Sequence, residues 1–371
     1  MLDMIIRQAR TLNEEVFDIG IRQGKICQIA KTIEAPSQRE WTLLPNQYLS
    51  AGWIDDHVHC FEEMSLYYDY PDQIGVAKGV TTVIDAGTTG AENIHRFYDY
   101  AQAAKTNVFA LVNISKWGIV EQDELADLSK IKGDQITKVL NEFPDFIVGL
   151  KARMSKTVIG DNGITPLKLA KNIQKEHPGL PLMVHIGSAP PDLSEIMSCL
   201  EEGDVLTHCF NGKDNGILDP QQDIIKSFVW QAYERGVVFD IGHGTDSFNF
   251  HVAEKALAAN LKAASISSDI YIRNRTKGPV YDLATTMEKL AVIGYSWQEI
   301  IEKVTVAPAR QFHLSGKGAI EEGLDADFTI FEFKDAAKEL IDSNGNRRII
   351  DRQIIPLKTI IGGKVYDTEC N

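Results

Sequence analysis

Two histidines two residues apart, His57 and His59 in SAGWIDDHVHC, close a short apolar run. If that run is a strand, a period of two puts both imidazoles on one face, where they can share a metal ion. An H-x-H pair alone is a weak sign, because single histidines are commonly core or surface residues. Four further residues of suitable chemistry end similar runs: Lys151 ends FIVGLK, His185 ends PLMVH, His208 ends DVLTH and Asp269 ends ASISSD. Each has an ordinary explanation, since a lysine at a strand end can snorkel to solvent and an aspartate there can cap the next helix. Six such residues at the ends of five runs are harder to explain that way.

A fold that gathers them must bring many strand ends to one place. Eight short apolar, β-rich runs occur at 53–59, 81–86, 108–114, 146–150, 182–186, 204–209, 237–241 and 264–268. Segments of helical composition lie between them at 93–105, 133–143, 165–176, 193–202, 222–235 and 250–260. Alternation of this kind implies a parallel sheet, and eight units over residues 52–312 match the roughly 250 residues of an α/β protein of the (β/α)8 TIM-barrel class. In such a barrel the C-terminal strand ends carry the active site. Residues 1–51 and 313–371 instead alternate apolar and polar positions, as in MIIRQARTL and IIPLKTIIGGKVYD. They are expected to pair into one small composite β-sandwich rather than two separate edge hairpins.

The bulk properties narrow the function. With 371 residues and 44% hydrophobic content the chain can bury a sizeable core. Its mean hydropathy of -0.16 is that of an ordinary globular protein. No run approaches the ~18 apolar residues of a membrane span, so no membrane partner is expected. A net charge of -14 without any basic block argues against nucleic acid. Cys27, Cys60, Cys199, Cys209 and Cys370 are scattered and form no C-x-x-C pair, which speaks against a disulfide framework or a thiolate zinc site. The opening MLDMIIRQAR mixes Asp3 and Arg7 into its apolar residues, unlike a secretory signal, so a cytoplasmic location is expected.

The set His57-x-His59, Lys151, His185, His208 and Asp269, with the tail VAPARQFHLSGKGAIEEGLDADFTIFE, resembles the binuclear amidohydrolase superfamily. The likeness is to its dihydroorotase-like branch, which contains acetyl-ester and N-acetyl-amino-acid deacetylases, and it covers essentially the whole chain. Ala51 stands before Gly52 where the family usually has proline, a change expected to affect only the turn. The resemblance implies two Zn2+ per subunit, with His57, His59 and Asp269 on one ion and His185 and His208 on the other. Lys151 would bridge them as a CO2-derived carbamate, a reaction open to a lysine whose pKa is lowered by burial. The implied reaction is attack by a hydroxide shared between the zinc ions on an acetyl ester or amide, with Asp269 as the proton carrier. The implied substrate is a small carboxylate-bearing molecule such as an O-acyl hydroxy acid or an N-acyl amino acid. Alternatives are a cyclic amidohydrolase of the dihydroorotase or hydantoinase kind, a purine deaminase, and a catalytically inactive scaffold. Many deaminases use one metal and lack the bridging lysine.

Substrate contacts are expected from Arg153, two residues beyond Lys151, and from Ser188, Tyr271 and Arg273 in the following loops; His243 in IGHGTD, at the seventh run, has flanking glycines that permit close approach of a ligand, and equally suits a place behind the site or at a helix start. Asn113 and Lys116 at the end of the third run are further candidates. Lys156 is a rival for the bridging role but falls in a loop. Cys60 and Cys209 should face the helices, since neighbouring strand residues point to opposite sides. Many barrels of this kind assemble through their outer helices, so a homo-oligomer is expected.

Overall fold

The computed structural model describes residues 1–369, so Cys370 lies outside the described residues. The alternating N-terminal segment forms β1 (Met4–Arg10), β2 (Val16–Arg22), β3 (Lys25–Ala30) and β4 (Glu40–Thr42), ordered β3-β2-β1-β4 in one sheet. After β5 (Gln47–Ala51) the pattern changes to continuous burial, and seven parallel strands follow. They are β6 (Trp53–Val58), β7 (Val80–Gly90), β8 (Asn107–Asn113), β9 (Ile147–Met154), β10 (Leu182–Ile186), β11 (Val205–Thr207) and β12 (Val238–Phe239), hydrogen-bonded in sequence order.

The eighth run forms no regular ladder. It closes the ring through single bridges, Asp240 with Ser265 on one side and Val58 with Ile270 on the other. Backbone bonds from Asp269 N to His57 O (2.6 Å) and from His59 N to Ile270 O (3.0 Å) complete the closure. The departure from a plain strand has two causes. Asp269 sits at φ +48°, outside the β region. Ser265 and Ser267 donate their hydroxyls to Asp240, and Ser268 donates to Asp55, so buried carboxylates hold this segment.

Helices Ile94–Ala103, Gly133–Glu142, Thr165–Lys175, Leu193–Cys199, Ser227–Glu234 and Phe250–Ala258 cover the outside of the barrel. Their apolar stripes share one core with outward strand residues; Phe97, Val139, Leu167, Ile196 and Val229 meet Val83, Val112, Leu150 and Val184. Ser227–Glu234 starts later than the composition suggests, because Asp219 takes the backbone N–H groups of Gln221 and Gln222 in a turn. Inside the ring, Ile54, Ile84, Leu111, Met183 and Val205 form a plug with Phe312 and Leu314. Among the described residues, no helix is long and apolar enough to cross a membrane.

The chain then returns as β13 (Phe328–Ile341), β14 (Arg347–Ile361) and β15 (Lys364–Asp367), which form an antiparallel sheet with β5 in the order β15-β14-β13-β5. Met4, Ile6, Ile19 and Ile21 of the first sheet and Leu49, Phe328, Ile330 and Ile360 of the second share one core, which makes the two sheets a sandwich. The β13–β14 hairpin runs well past this core. Its polar outer half lies against helix Leu283–Ile293, with Lys338 Nζ 2.7 Å from Glu288, while Asp342 beyond β13 accepts from Phe250 N.

The same helix buries Lys289 completely. Its Nζ lies 2.7 Å from Pro279 O and 2.8 Å from His243 Nε2. Burial pulls this amine down from 10.5 to about 7. Between those pH values the unfolded chain holds a proton that the folded chain lacks, so this group makes stability rise with pH across that window. In Lys289→Met, stability measured by urea denaturation is expected to rise less than in wild type between pH 7 and 9. An equal rise in both would mean that the folded protein keeps Lys289 charged.

Candidate active site

The C-terminal strand ends surround a cavity of about 370 Å³; His57, His59, Lys151, His185 and Asp269 line its floor, and His208 lies buried behind them. His57, His59 and Asp269 each offer a donor atom, all within 4.8 Å of one another. His59 Nε2 is 3.2 Å and His57 Nε2 is 3.5 Å from Asp269 Oδ1. Lys151, 1% exposed, brings its Nζ to 3.0 Å from His57 Nε2 and 3.2 Å from Met183 Sδ. On the far side His185 Nδ1 and His208 Nε2 lie 2.8 Å apart, with His208 Nε2 4.0 Å from Asp269 Oδ2.

Local backbone conformation aims these groups. His208 follows the short β11 at φ +67° and Asp269 stands at φ +48°, left-handed positions that cost about 1–3 kcal/mol each and cluster at functional sites. Gly242 and Gly244 let the loop after β12 press against the cluster. A Cβ on Gly242 would sit 2.2 Å from Thr207 Oγ1, and one on Gly244 would sit 2.4 Å from Asp269 Oδ2. His208 Nδ1 is 2.5 Å from Gly242 O, which can only accept, so that nitrogen carries the proton and Nε2 turns its lone pair towards His185 Nδ1.

The electrostatics follow from burial. The Lys151 amine is pulled from 10.5 down to about 7, chiefly by desolvation. Desolvation also pushes His57 and His185 well below the usual imidazole range and His208 to about 4, so all three rings are neutral near pH 7. Burial pushes the Asp269 carboxyl upward, but His59, His208 and Lys151 beside it leave it below the usual value, and it stays ionised.

Of the expected substrate contacts, Arg153, Ser188 and Tyr271 line the cavity. Arg153, however, does not offer a free guanidinium. Its Nη1 lies 3.0 and 3.2 Å from the two oxygens of buried Glu124, its Nη2 lies 3.1 Å from Gln122 Oε1, and the group stacks over Tyr67. Burial pushes Glu124 up to about 7, with Arg153 opposing the shift. Tyr271 donates to or accepts from Thr245 Oγ1 at 2.8 Å.

His243, Arg273, Asn113 and Lys116 do not line the cavity. His243 is fully buried, stacked on Phe248, with Nδ1 on Gly244 O and Nε2 on Lys289, so it braces the glycine loop from behind. Arg273 is exposed because Ile272–Lys277 turns into a helix directly after Tyr271. Asn113 instead donates to Gly87 O and accepts from Ser115 N. Lys156 is exposed at the start of helix Lys156–Ile159, and Cys60 and Cys209 are buried in the outer core. Tyr67, Gln122, Lys213, Thr245 and Asp246 line the cavity without having been singled out in the sequence. They sit in loops that lack any periodicity, so only strand-end position could have drawn attention to them.

Relatives fit this geometry. Residues 320–367 match a deacetylase-like composite domain. Over 365 residues the chain is 67% identical to a deacetylase of Enterococcus faecalis, covering 98% of this chain and 99% of that protein. A solved structure described as an adenine deaminase superposes with a TM-score of 0.98 at 67% identity, covering 99% of this chain and 100% of that one. Another, described as a dihydroorotase, superposes with a TM-score of 0.89 at 34% identity, covering 99% and 98% of the two chains. The chain belongs to the deacetylase family within the dihydroorotase-like branch of the amidohydrolase superfamily, and its fold is the TIM barrel of that superfamily with a terminal β-sandwich.

Proposed function

We propose that this protein is a binuclear metal-dependent hydrolase that removes an acetyl or similar acyl group from a small carboxylate-bearing molecule. The observation that carries the proposal is the convergence of His57, His59 and Asp269 within 4.8 Å beside a buried Lys151 whose amine is pulled down to about 7. This donor set, imidazoles with an ionised carboxylate, suits a divalent cation of the zinc type. His57, His59 and Asp269 would hold one ion and His185 and His208 a second. Such a pair polarises an acyl carbonyl and lowers the pKa of water towards neutrality.

The chain's own groups supply the rest. In its unprotonated form the Lys151 amine could form an N–C bond with CO2 and lose a proton to solvent, and the resulting carbamate would supply the anionic oxygen donors that a two-ion site requires. Asp269, kept ionised at the cavity floor, can accept a proton from water and return it to the leaving group. Lys213 lines the cavity and, among the described residues, has no ion-pair partner, so we assign it the substrate carboxylate in place of Arg153. In the same proposal residues 52–312 are the catalytic unit, and 1–51 with 313–371 are its supporting sandwich.

Relatives at the same 67% identity are described as a deacetylase and as an adenine deaminase, so deamination is the second reading. Purified protein supplied with zinc and bicarbonate is to be offered O-acetyl hydroxy acids, N-acetyl amino acids, dihydroorotate, hydantoins and adenine. Turnover of acyl compounds alone is expected. Turnover of adenine alone, or of the rings alone, would overturn the deacylase proposal. In Lys213→Met the KM for acyl carboxylates is expected to rise by about 10- to 100-fold with kcat little changed, the loss of one charge-assisted contact. An unchanged KM would remove Lys213 from substrate binding.

A further inference from the structure

We propose that Thr207 and Thr88, each backed by a buried aspartate, are positioning residues that fix the tautomers of His57 and His59 and thereby set metal affinity. The inference rests on the metal-site reading above but concerns residues that lie behind the site.

His57 Nδ1 is 2.8 Å from Thr207 Oγ1, which is 2.7 Å from Asp240 Oδ2. His59 Nδ1 is 2.7 Å from Thr88 Oγ1, which is 2.7 Å from Asp85 Oδ2. All six side chains are buried. Both aspartates are surrounded by donors. Asp85 accepts from the backbone N–H groups of Cys60 and Thr88, and Asp240 accepts from the hydroxyls of Ser265 and Ser267. They therefore act as acceptors towards the threonines as well. A hydroxyl has one proton to give. Each threonine gives it to its aspartate and can only accept from the imidazole, so Nδ1–H is the tautomer of both rings.

The consequence appears on the other side of each ring. His57 Nε2 and His59 Nε2 turn lone pairs inward to the same carboxylate oxygen, Asp269 Oδ1. Three acceptors then face one point with, among the described residues, only Lys151 Nζ, 3.0 Å from His57 Nε2, to donate to them, and a cation there satisfies all three. The two relays arise from different parts of the chain. Thr88 and Asp85 belong to β7, whereas Thr207 ends β11 and Asp240 directly follows β12. Hydrogen bonds of this kind behind metal-binding histidines typically change metal affinity by about 10- to 100-fold.

The test uses the full chain. Thr207→Val and Thr88→Val remove each hydroxyl and keep the side-chain shape; Thr207→Ser and Thr88→Ser keep the hydroxyl. Zinc dissociation constants are to be measured by chelator competition, with circular dichroism to verify the fold. Each valine variant is expected to bind zinc at least about tenfold more weakly, with affinity recovered in the serine variants. Wild-type affinity in the valine variants would overturn the proposal. Nitrogen-15 NMR of the metal-free wild type tests it without any variant: Nδ1–H is expected on both His57 and His59, and Nε2–H on either ring would contradict it. A wild type that binds no zinc would defeat the metal-site reading, while the tautomers would still report on the relays.

Discussion

A lysine amine buried at the floor of the barrel mouth, with an imidazole nitrogen and a methionine sulfur as its hydrogen-bond neighbours, is the constraint around which the rest is organised. Carrying an ammonium into such a place costs several kcal/mol. The amine therefore titrates near 7, and a large share of Lys151 is neutral where an exposed lysine is charged. Close packing maintains that state. Gly87 lies against it at φ +77°, where a Cβ would come within 2.5 Å of Lys151 Cβ, and Met183 from the inner plug closes the site from below.

Barrel closure and site chemistry use the same atoms. The eighth segment is held by Ser265 and Ser267 on Asp240 and by Asp269 N on His57 O, rather than by a long ladder. Asp240 also anchors Thr207 behind His57. A carboxylate that joins the ends of the barrel thus also orients a candidate ligand. The left-handed residues His208 and Asp269 are strained positions that this network over-determines. The terminal sandwich supports the opposite side of the barrel: Asp327, just before β13, accepts from Asn107 of β8 and from Lys317.

Much of this was legible in the sequence because ligand-type side chains stand at the ends of apolar runs, where strand alternation and barrel geometry converge. The run at 182–186 coincides with β10, and the other strands shift by a few residues. Alternation stops being informative where the backbone leaves the β region. Arg273 was expected at the cavity on the strength of loop position and His243 on that of its flanking glycines, which equally allowed a place behind the site; Gly242 at φ +45° puts His243 there, and a helix starting at Ile272 turns Arg273 away. The outer half of the β13–β14 hairpin was invisible because its buried partners are charged, such as Lys338 with Glu288, and no apolar period marks it. Thr88 and Thr207 look like ordinary strand threonines, and only the spatial neighbours Asp85 and Asp240 give them a role.

Metal content per chain and intact mass under non-denaturing conditions, for wild type and Lys151→Ala prepared with zinc and bicarbonate, test the central claim most directly. The expected result is about two metal ions and a carbamate-sized mass excess in the wild type, with the excess gone and the metal pair lost in the variant. One metal ion in the wild type, or a variant that matches it, would contradict the bridging role of Lys151.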